Sequence, residues 1–308
     1  MEHSPVLLSE CIENLNIKPD GIYVDGTLGR GGHSLEIAKR LEKGRLIAID
    51  RDAEAILKAG KFLEEFKDRI TFVKGNFGDI SEILDSENIQ AVDGMLFDFG
   101  VSSPQLDDVS RGFSYMADTA LDMRMDTEGS LTAFEIINEW NQEELQRIFR
   151  QYGEERYASS IARAIVRKRE TQPINSTFEL NNVIFSAIPA AARREKQHPS
   201  KRCFQAIRIS VNDELGAIEK MLETAIDRLN SGGRLCAISF HSLEDRLVKK
   251  AFAAAVSGCT CPSKLPVCVC GFEPKLKMIA RKPILPTDEE IERNPRARSA
   301  KLRVAERI

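Results

Sequence analysis

Residues 22–33 read Ile-Tyr-Val-Asp-Gly-Thr-Leu-Gly-Arg-Gly-Gly-His. The apolar start indicates a short buried strand that ends at Asp25. The glycines that follow indicate a tight turn whose backbone can approach a ligand closely, and a helix through Leu35, Ala38 and Leu41 is predicted behind it. The N–H groups at the start of such a helix suit a nucleotide-like ligand. Strand, turn and helix together predict the first βαβ unit of a parallel sheet.

The same alternation of strand and helix continues after this unit. Strand and helix patterns that alternate in this way are typical of a parallel sheet with helices on both faces. A glycine-rich turn at 231–233 is predicted to introduce the last parallel strand. The further predicted strands are 46–49, 70–73, 95–97 and 235–238, with 278–280 and 302–305 as a candidate antiparallel pair at the sheet edge. The sequence therefore predicts an α/β fold.

Between these two groups of strands the sequence is polar, charged and mostly helical. Two capping-box patterns, beginning at Thr132 and at Ser176, indicate helix starts within this region. We predict that residues 107–204 form an inserted helical domain for substrate recognition. The α/β domain then consists of residues 1–106 and 205–308.

Composition narrows the class of protein. A chain of 308 residues with 42% hydrophobic content can bury a full-sized core. The net charge of -3 argues against a protein coated in basic surface, but local basic patches can still bind nucleic acid. Because the first residues show no signal-peptide pattern and no apolar run approaches the ~20 residues of a membrane span, we expect a cytoplasmic protein without a membrane partner.

The seven cysteines fall into two groups. Cys11, Cys203 and Cys236 are scattered through predicted helices and strands and are interpreted as reduced core thiols. The other four form two Cys-x-Cys pairs, Cys259 with Cys261 and Cys268 with Cys270. Four thiols so close in sequence can hold a structural zinc ion, but the usual spacing is Cys-x-x-Cys, so the sequence leaves the metal open.

Acidic residues end several of the predicted strands. Asp25, Asp50 and Asp98 all lie where the ligand crevice of an open parallel sheet is expected. Asp50 is placed to accept hydrogen bonds from a ribose diol. This signature serves NAD and S-adenosylmethionine equally, so an NAD-dependent dehydrogenase stays open on these residues alone.

A wider set of motifs distinguishes between these cofactors. The turn at 25–34 and the segment Leu96-Phe97-Asp98-Phe99-Gly100-Val101-Ser102-Ser103-Pro104-Gln105 together resemble the bacterial ribosomal RNA small subunit methyltransferase H family. The resemblance runs nearly end to end and keeps the family's order of motifs. Its other blocks are residues 3–8, 111–114, 121–125, 152–156, 204–209, 239–246 and 294–299.

The resemblance implies a class I (Rossmann-like) S-adenosylmethionine-dependent methyltransferase fold with an inserted helical domain. It implies S-adenosyl-L-methionine as cofactor and a cytidine N4 in the decoding region of 16S rRNA as the methylated atom. The matching cofactor-binding residues are Gly31, Gly32, His33, Asp50, Phe77, Asp98 and Gln105. Taken alone, Phe77 also fits an ordinary core position, and His33 a helix-start contact.

Asp98 is the candidate catalytic residue. Methyl transfer is a direct displacement, so the enzyme must mainly hold an acceptor lone pair in line with the methyl group. A carboxylate that grips an N–H directs such a lone pair, and we expect Asp98 to orient the target amine or the cofactor's amino group. Methylation at cytosine C5 is disfavoured, because the Pro-Cys pair common in that chemistry is absent from this sequence.

Three basic clusters are the candidate rRNA contacts, at residues 163–169, 193–202 and 293–307. Together with the resemblance they favour 16S rRNA of the small ribosomal subunit as partner, and neither DNA nor a membrane. The oligomeric state is left open. Two alternatives remain beside the dehydrogenase: a non-catalytic RNA-binding or assembly factor that keeps a cofactor fold, and a methyltransferase for proteins or small molecules.

Overall fold

A computed structural model describes residues 5–194, 198–259, 261 and 269–308. The chain forms two compact units: unit 1 comprises Met1–Gly100 and Leu215–Ile308, and unit 2 comprises Val101–Glu214. The strands are β1 (Ile22–Asp25), β2 (Arg45–Asp50), β3 (Ile70–Lys74), β4 (Val92–Asp98), β5 (Leu229–Ser239), β6 (Leu276–Met278) and β7 (Lys301–Arg307). The helices are α1 (Leu8–Leu15), α2 (Gly32–Ala38), α3 (Ala53–Phe62), α4 (Ile80–Ser86), α5 (Ser103–Asp107), α6 (Ala133–Glu139), α7 (Gln142–Gln151), α8 (Ala158–Arg169), α9 (Thr177–Ala187), α10 (Ser200–Asn212), α11 (Glu214–Ala225), α12 (Ser242–Ser257) and α13 (Asp288–Arg293).

Unit 1 is built on one sheet of seven strands in the order β3-β2-β1-β4-β5-β7-β6. The first five strands in this order run parallel, and β7 pairs antiparallel with both β5 and β6. The predicted class I, Rossmann-like α/β fold is therefore confirmed. The predicted antiparallel edge pair is also present, although its first strand begins two residues earlier than predicted, at Leu276 rather than Met278.

Both faces of this sheet are buried, which explains why its strands are apolar throughout. Along β2, Ile47 and Ile49 belong to the hydrophobic core on one face, whereas Leu46 and Ala48 belong to the core on the other. Successive side chains of a strand point to opposite faces, so a strand covered on both sides needs a continuous apolar run. At the carboxyl end of the run, the polar Asp50 leaves the core.

One predicted turn is wrong. Residues 231–233 lie inside β5, where the pairing with β4 shifts register between Val92 and Gly94. Gly232 has a φ of +77°, a conformation that favours glycine. The glycines thus form an irregularity within one long strand instead of a turn before a shorter one, because glycine accommodates a bulge as readily as a turn.

Unit 2 is mostly helical and has its own core, which includes Ile137, Phe149, Ile161 and Phe204. The predicted capping box at Thr132 is present, since Thr132 accepts from the backbone of α6 and the Glu135 side chain accepts in return. At the second predicted box, Ser176 accepts from the Glu179 N–H, but the Glu179 carboxylate accepts from the Asn175 N–H. Ser176 is therefore the N-cap, as predicted, but the reciprocal bond of a capping box goes to the N–H of Asn175 instead of that of Ser176.

The unit boundaries lie outside those predicted from sequence. Unit 2 begins at Val101 and ends at Glu214, whereas the predicted insertion ran from 107 to 204. The predicted end falls inside the single helix α10, whose residues Cys203, Phe204 and Ile207 all belong to the core of unit 2. Within the described ranges, no helix has both the length and the apolar composition that a bilayer crossing requires.

Candidate functional site

The carboxyl ends of three adjacent strands bring acidic residues to one edge of the sheet. β1 lies between β2 and β4, and Asp25, Asp50 and Asp98 are the last residues of these strands. The chain passes from β1 to β2 and β3 on one side and continues with β4 and β5 on the other. The strand order therefore reverses between β1 and β4, which is where ligands bind in open α/β sheets.

The turn after β1 is held tightly against this edge. Gly26 donates from its N–H to the Leu96 carbonyl at 2.9 Å, and a Cβ at Gly26 would lie 2.2 Å from the Phe97 ring. Asp25 is buried and accepts from the Ser34 hydroxyl at 2.7 Å and the Thr27 N–H at 3.1 Å. The turn is thus fixed in position rather than merely flexible.

Asp50 connects this turn to the start of α3. Its carboxylate oxygens accept from the Gly29 N–H at 2.8 Å and from the Asp52 N–H at 2.9 Å. Burial raises the pKa of Asp50 to about 6. Each carboxylate oxygen retains a further lone pair, so the pair can still accept two hydroxyl donors. The carboxylate is oriented by backbone amides and fits a ribose diol.

Phe77 follows β3 and starts a short 3-10 turn, Phe77–Asp79. Its ring centroid lies 5.8 Å from that of Phe97 and 5.7 Å from that of Phe99, and the side chain is half-buried. Phe77 therefore packs against the core and stays partly exposed. Both interpretations made from the sequence, core residue and stacking surface, are compatible with this position.

Replacing Phe77 by leucine tests its role. We expect cofactor affinity to fall about 5- to 150-fold, because stacking on an aromatic face is worth ~1–3 kcal/mol per base and about 1.4 kcal/mol is tenfold in affinity. The matched control is Phe252→Leu, a fully buried ring in the same core. That variant should lower the unfolding temperature and keep the cofactor affinity, measured by calorimetry. Equal losses of affinity in both variants would assign Phe77 to packing alone.

Asp98 is the most unusual residue at this edge. Its backbone N–H donates to the Thr27 hydroxyl at 2.7 Å, but its Oδ1 is buried and has no hydrogen-bond partner among the described residues. Burial raises the pKa of Asp98 to about 8, and the neighbouring Asp25 and Glu244 carboxylates act in the same direction. Leaving a buried polar atom unpaired is costly, so this oxygen is suited to accept an N–H from a ligand.

His33 and its neighbouring glycines are placed differently. The His33 imidazole is buried, its Nε2 lies 3.1 Å from the Val6 carbonyl oxygen, and burial lowers its pKa to about 4. A Cβ at Gly32 would lie 2.2 Å from Pro5, and Gly31 has a φ of +81°. The side chain of His33 thus contacts the N-terminal segment, and these residues can offer a ligand only their backbone.

Gln105 belongs to unit 2. Its Oε1 accepts from the Ser102 N–H at 3.1 Å, which closes a capping box at the start of α5, and its Nε2 donates to the Met125 carbonyl at 3.4 Å. The residue is buried. A local structural role for Gln105 is therefore evident within unit 2.

Sequence reasoning assigned no role to Glu244. This fully buried carboxylate at the start of α12 accepts from the Phe240 N–H at 2.7 Å and the His241 N–H at 3.2 Å. It contributes to the negative field that raises the pKa of Asp98. The signal was present in the sequence, because His241-x-x-Glu244 has the spacing of a capping box.

Comparison with known proteins identifies the family. A relative from Lachnospira eligens named "Ribosomal RNA small subunit methyltransferase H" is 56% identical over 308 residues, covering 100% of this chain and 98% of the relative. One of the same name from Clostridioides difficile is 54% identical over 307 residues, covering 99% of each chain. A solved rRNA methylase from Streptococcus thermophilus aligns with a TM-score of 0.44 and 11% identity over 100% of this chain and 99% of its own, a likeness too weak to carry an argument. The family model described as "MraW methylase family" matches residues 1–308, and the chain belongs to that family.

Proposed function

We propose that this protein transfers a methyl group from S-adenosyl-L-methionine to the exocyclic N4 of a cytidine in the decoding region of 16S rRNA. The structural observation that supports the proposal is the buried Oδ1 of Asp98 at the strand-order reversal, which has no hydrogen-bond partner among the residues that the structure describes. The full-length relatives, named as small-subunit rRNA methyltransferases, supply the substrate class. A ribosomal substrate also supports the proposal of a cytoplasmic location.

The residues of unit 1 fit this cofactor. Asp50 would accept from the ribose hydroxyls, Phe77 would stack on the adenine, and the backbone at Gly31, Gly32 and His33 would hold the carboxylate of the methionine moiety. Asp98 accepts an N–H, either from the ammonium group of the cofactor or from the cytidine amine. We also assign Gln105 to the cofactor site, on the family resemblance alone.

When bound, the cofactor supplies an electrophilic methyl group on a sulfonium. In the proposed reaction the N4 lone pair would form the new C–N bond as the C–S bond breaks, sulfur would keep the electron pair, and N4 would release a proton to solvent. Because the N4 lone pair is conjugated with the ring, a carboxylate that grips an N–H helps to direct it along the C–S axis. Asp98 thereby contributes orientation and electrostatic stabilisation rather than a covalent step.

The decisive experiment supplies labelled S-adenosylmethionine and small ribosomal subunits that lack the modification, followed by nuclease digestion and nucleoside analysis. Label in N4-methylcytidine is the expected result. Label in another nucleoside would retain the methyltransferase and overturn the target atom. Tight cofactor binding without any labelled RNA would favour an assembly factor instead. Because the chain belongs to a methylase family, the alternative of an NAD-dependent dehydrogenase is rejected.

We further propose that the basic face of α8 contacts rRNA phosphates. Arg163, Arg167 and Lys168 are exposed on this helix. Arg169, from the same cluster, instead donates to the Ile137 carbonyl at 2.6 Å and the Trp140 carbonyl at 2.5 Å, so it has a structural role. The basic cluster at residues 293–307 also contains both exposed and buried arginines. Its exposed residues are Arg293, Arg296 and Arg298, whereas Arg303 is buried against Asp245 at 2.7 Å.

RNA affinity should accordingly depend on salt. We expect the double substitution R163A/R167A to weaken binding at low salt and to reduce the slope of log affinity against log salt by about 0.7 for each phosphate that the helix no longer neutralises. The control is K39A/K43A, which removes the same charge from two exposed lysines of unit 1. Filter binding across a salt series measures the slope. Equal slopes for R163A/R167A and wild type would remove α8 from the interface.

A further inference from the structure

The segment after α12 brings three thiols together. Cys259, Cys261 and Cys270 have Sγ atoms that all lie within 4.8 Å of one another, and the Sγ atoms of Cys259 and Cys270 are 3.6 Å apart. A disulfide would require about 2.05 Å, so this separation is not that of a bonded pair. Two thiolates on one zinc ion, each at about 2.3 Å in a tetrahedron, lie about 3.8 Å apart. The observed separation matches this tetrahedral edge.

The local backbone supports these thiols as ligands. The Val269 N–H donates to the Cys261 Sγ at 3.3 Å. Hydrogen bonds from backbone amides to sulfur stabilise a thiolate and fix its orientation, as the surrounding groups of metal sites do. The three sulfur atoms form a soft donor set that excludes ions preferring oxygen, such as Mg²⁺ and Ca²⁺.

The cluster lies where the chain turns back onto the end of α12. A Cβ at Gly258 would be 2.8 Å from the Phe272 ring, so the end of α12 and the returning chain are in close contact here. The Lys275 N–H then donates to the Ala255 carbonyl at 2.8 Å. An ion held by thiols from both sides of this contact would fasten the returning segment to the helix.

We propose that Cys259, Cys261 and Cys270 bind one structural zinc ion. The fourth cysteine suggested by the sequence, Cys268, lies outside the described residues. α12 contains 16 residues and spans about 24 Å at ~1.5 Å per residue, so the cluster lies at the end of the helix far from Ser242 and the carboxyl edge of the sheet. The ion therefore stabilises the connection between α12 and β6 and takes no part in methyl transfer.

Metal analysis of the full-length protein, purified under reducing conditions, tests the proposal. We expect about one zinc ion per chain, retained against a weak chelator. Cobalt exchanged into the site should give a thiolate-to-cobalt charge-transfer band and tetrahedral d–d bands. The C259S/C270S variant should hold less than about a tenth of an equivalent and lose the cobalt spectrum. Cys11→Ala, which removes a buried thiol elsewhere in unit 1, should retain both.

Circular dichroism and S-adenosylmethionine binding verify that each variant is folded, so the result does not depend on methyl transfer. Folded wild-type protein without zinc after growth in zinc-supplemented medium would overturn the proposal. Zinc content unchanged in C259S/C270S would do the same. A Cys259–Cys270 disulfide in protein kept under reductant would replace the metal site with a redox pair.

Discussion

Replacing Asp98 by alanine or asparagine should lower methyl transfer at least about a hundredfold, the usual cost of removing one oriented group that stabilises a transition state. The loss should not come from unfolding, because Asp98 Oδ1 has no protein partner among the described residues. The matched control is Asp93→Asn at the other end of β4. Asp93 accepts from the Ile22 N–H and pairs with Lys18, so that variant should lose stability and keep its turnover.

The Asp98→Asn substitution should also stabilise the cofactor-free protein at high pH. The folded-state pKa of Asp98 is about 8, against an ordinary value of 3.8. Stability from the neutral carboxyl is therefore fully present below pH ~4 and is lost as the pH rises towards ~8. At pH 8 and above, Asp98→Asn should raise the unfolding temperature by about 3 °C or more, since ~1 kcal/mol corresponds to 2–4 °C in a domain of this size. Below pH ~4, where both carry a neutral side chain, the two proteins should unfold alike.

Cofactor binding distinguishes the two N–H donors proposed for Asp98. If Asp98 accepts from the ammonium group of the cofactor, binding near pH 7 should release a proton from the carboxyl, and Asp98→Asn should bind weakly without that release. Calorimetry in buffers of different ionisation heat measures it. If Asp98 grips the cytidine amine, cofactor affinity should change little while turnover falls. A variant with normal affinity and normal turnover would remove Asp98 from the site altogether.

The sheet was predictable because its parallel strands are buried on both faces. Residues 46–49 form a continuous apolar run whose side chains alternate between the two hydrophobic cores. Asp50, which follows this run, marks the edge of the sheet. The bulge in β5 was not predictable, because its register depends on pairing with β4 rather than on local sequence. Unit 2 extends to Glu214, beyond the predicted insertion at 107–204, and composition does not reveal which core the apolar face of α10 joins.

The candidate site likewise has features that the sequence predicts and features that only the structure shows. Acidic residues at strand ends could be identified from sequence, because strands and their ends were clear. Whether such a residue already has a hydrogen-bond partner depends on tertiary contacts. Asp25 accepts hydrogen bonds from Ser34 and Thr27, whereas Asp98 Oδ1 has no partner among the described residues. His33 matched the family's cofactor-binding position, yet its imidazole contacts the Val6 carbonyl. The resemblance therefore indicated the position, and the structure distinguishes its backbone from its side chain.

Replacing Asp50 by alanine should weaken S-adenosylmethionine binding about a hundredfold or more. Two hydroxyls that donate to one charged acceptor each contribute ~1.5–3 kcal/mol, and about 1.4 kcal/mol is tenfold in affinity. Asp50 also accepts from Gly29 and Asp52, so part of the loss could come from the turn moving away from the sheet. Affinity for the natural cofactor alone does not separate these two causes.

A double-mutant cycle with S-adenosylhomocysteine and its 2′-deoxy analogue separates them. Wild-type protein should lose about tenfold or more in affinity for the deoxy analogue, because one donor to the charged carboxylate is missing. The Asp50→Ala variant should bind both ligands almost equally, since it has no carboxylate to accept a hydrogen bond from the 2′-hydroxyl. If the variant instead loses affinity for both ligands by the same factor relative to wild type, Asp50 acts only by holding the turn, and the ribose must be bound elsewhere.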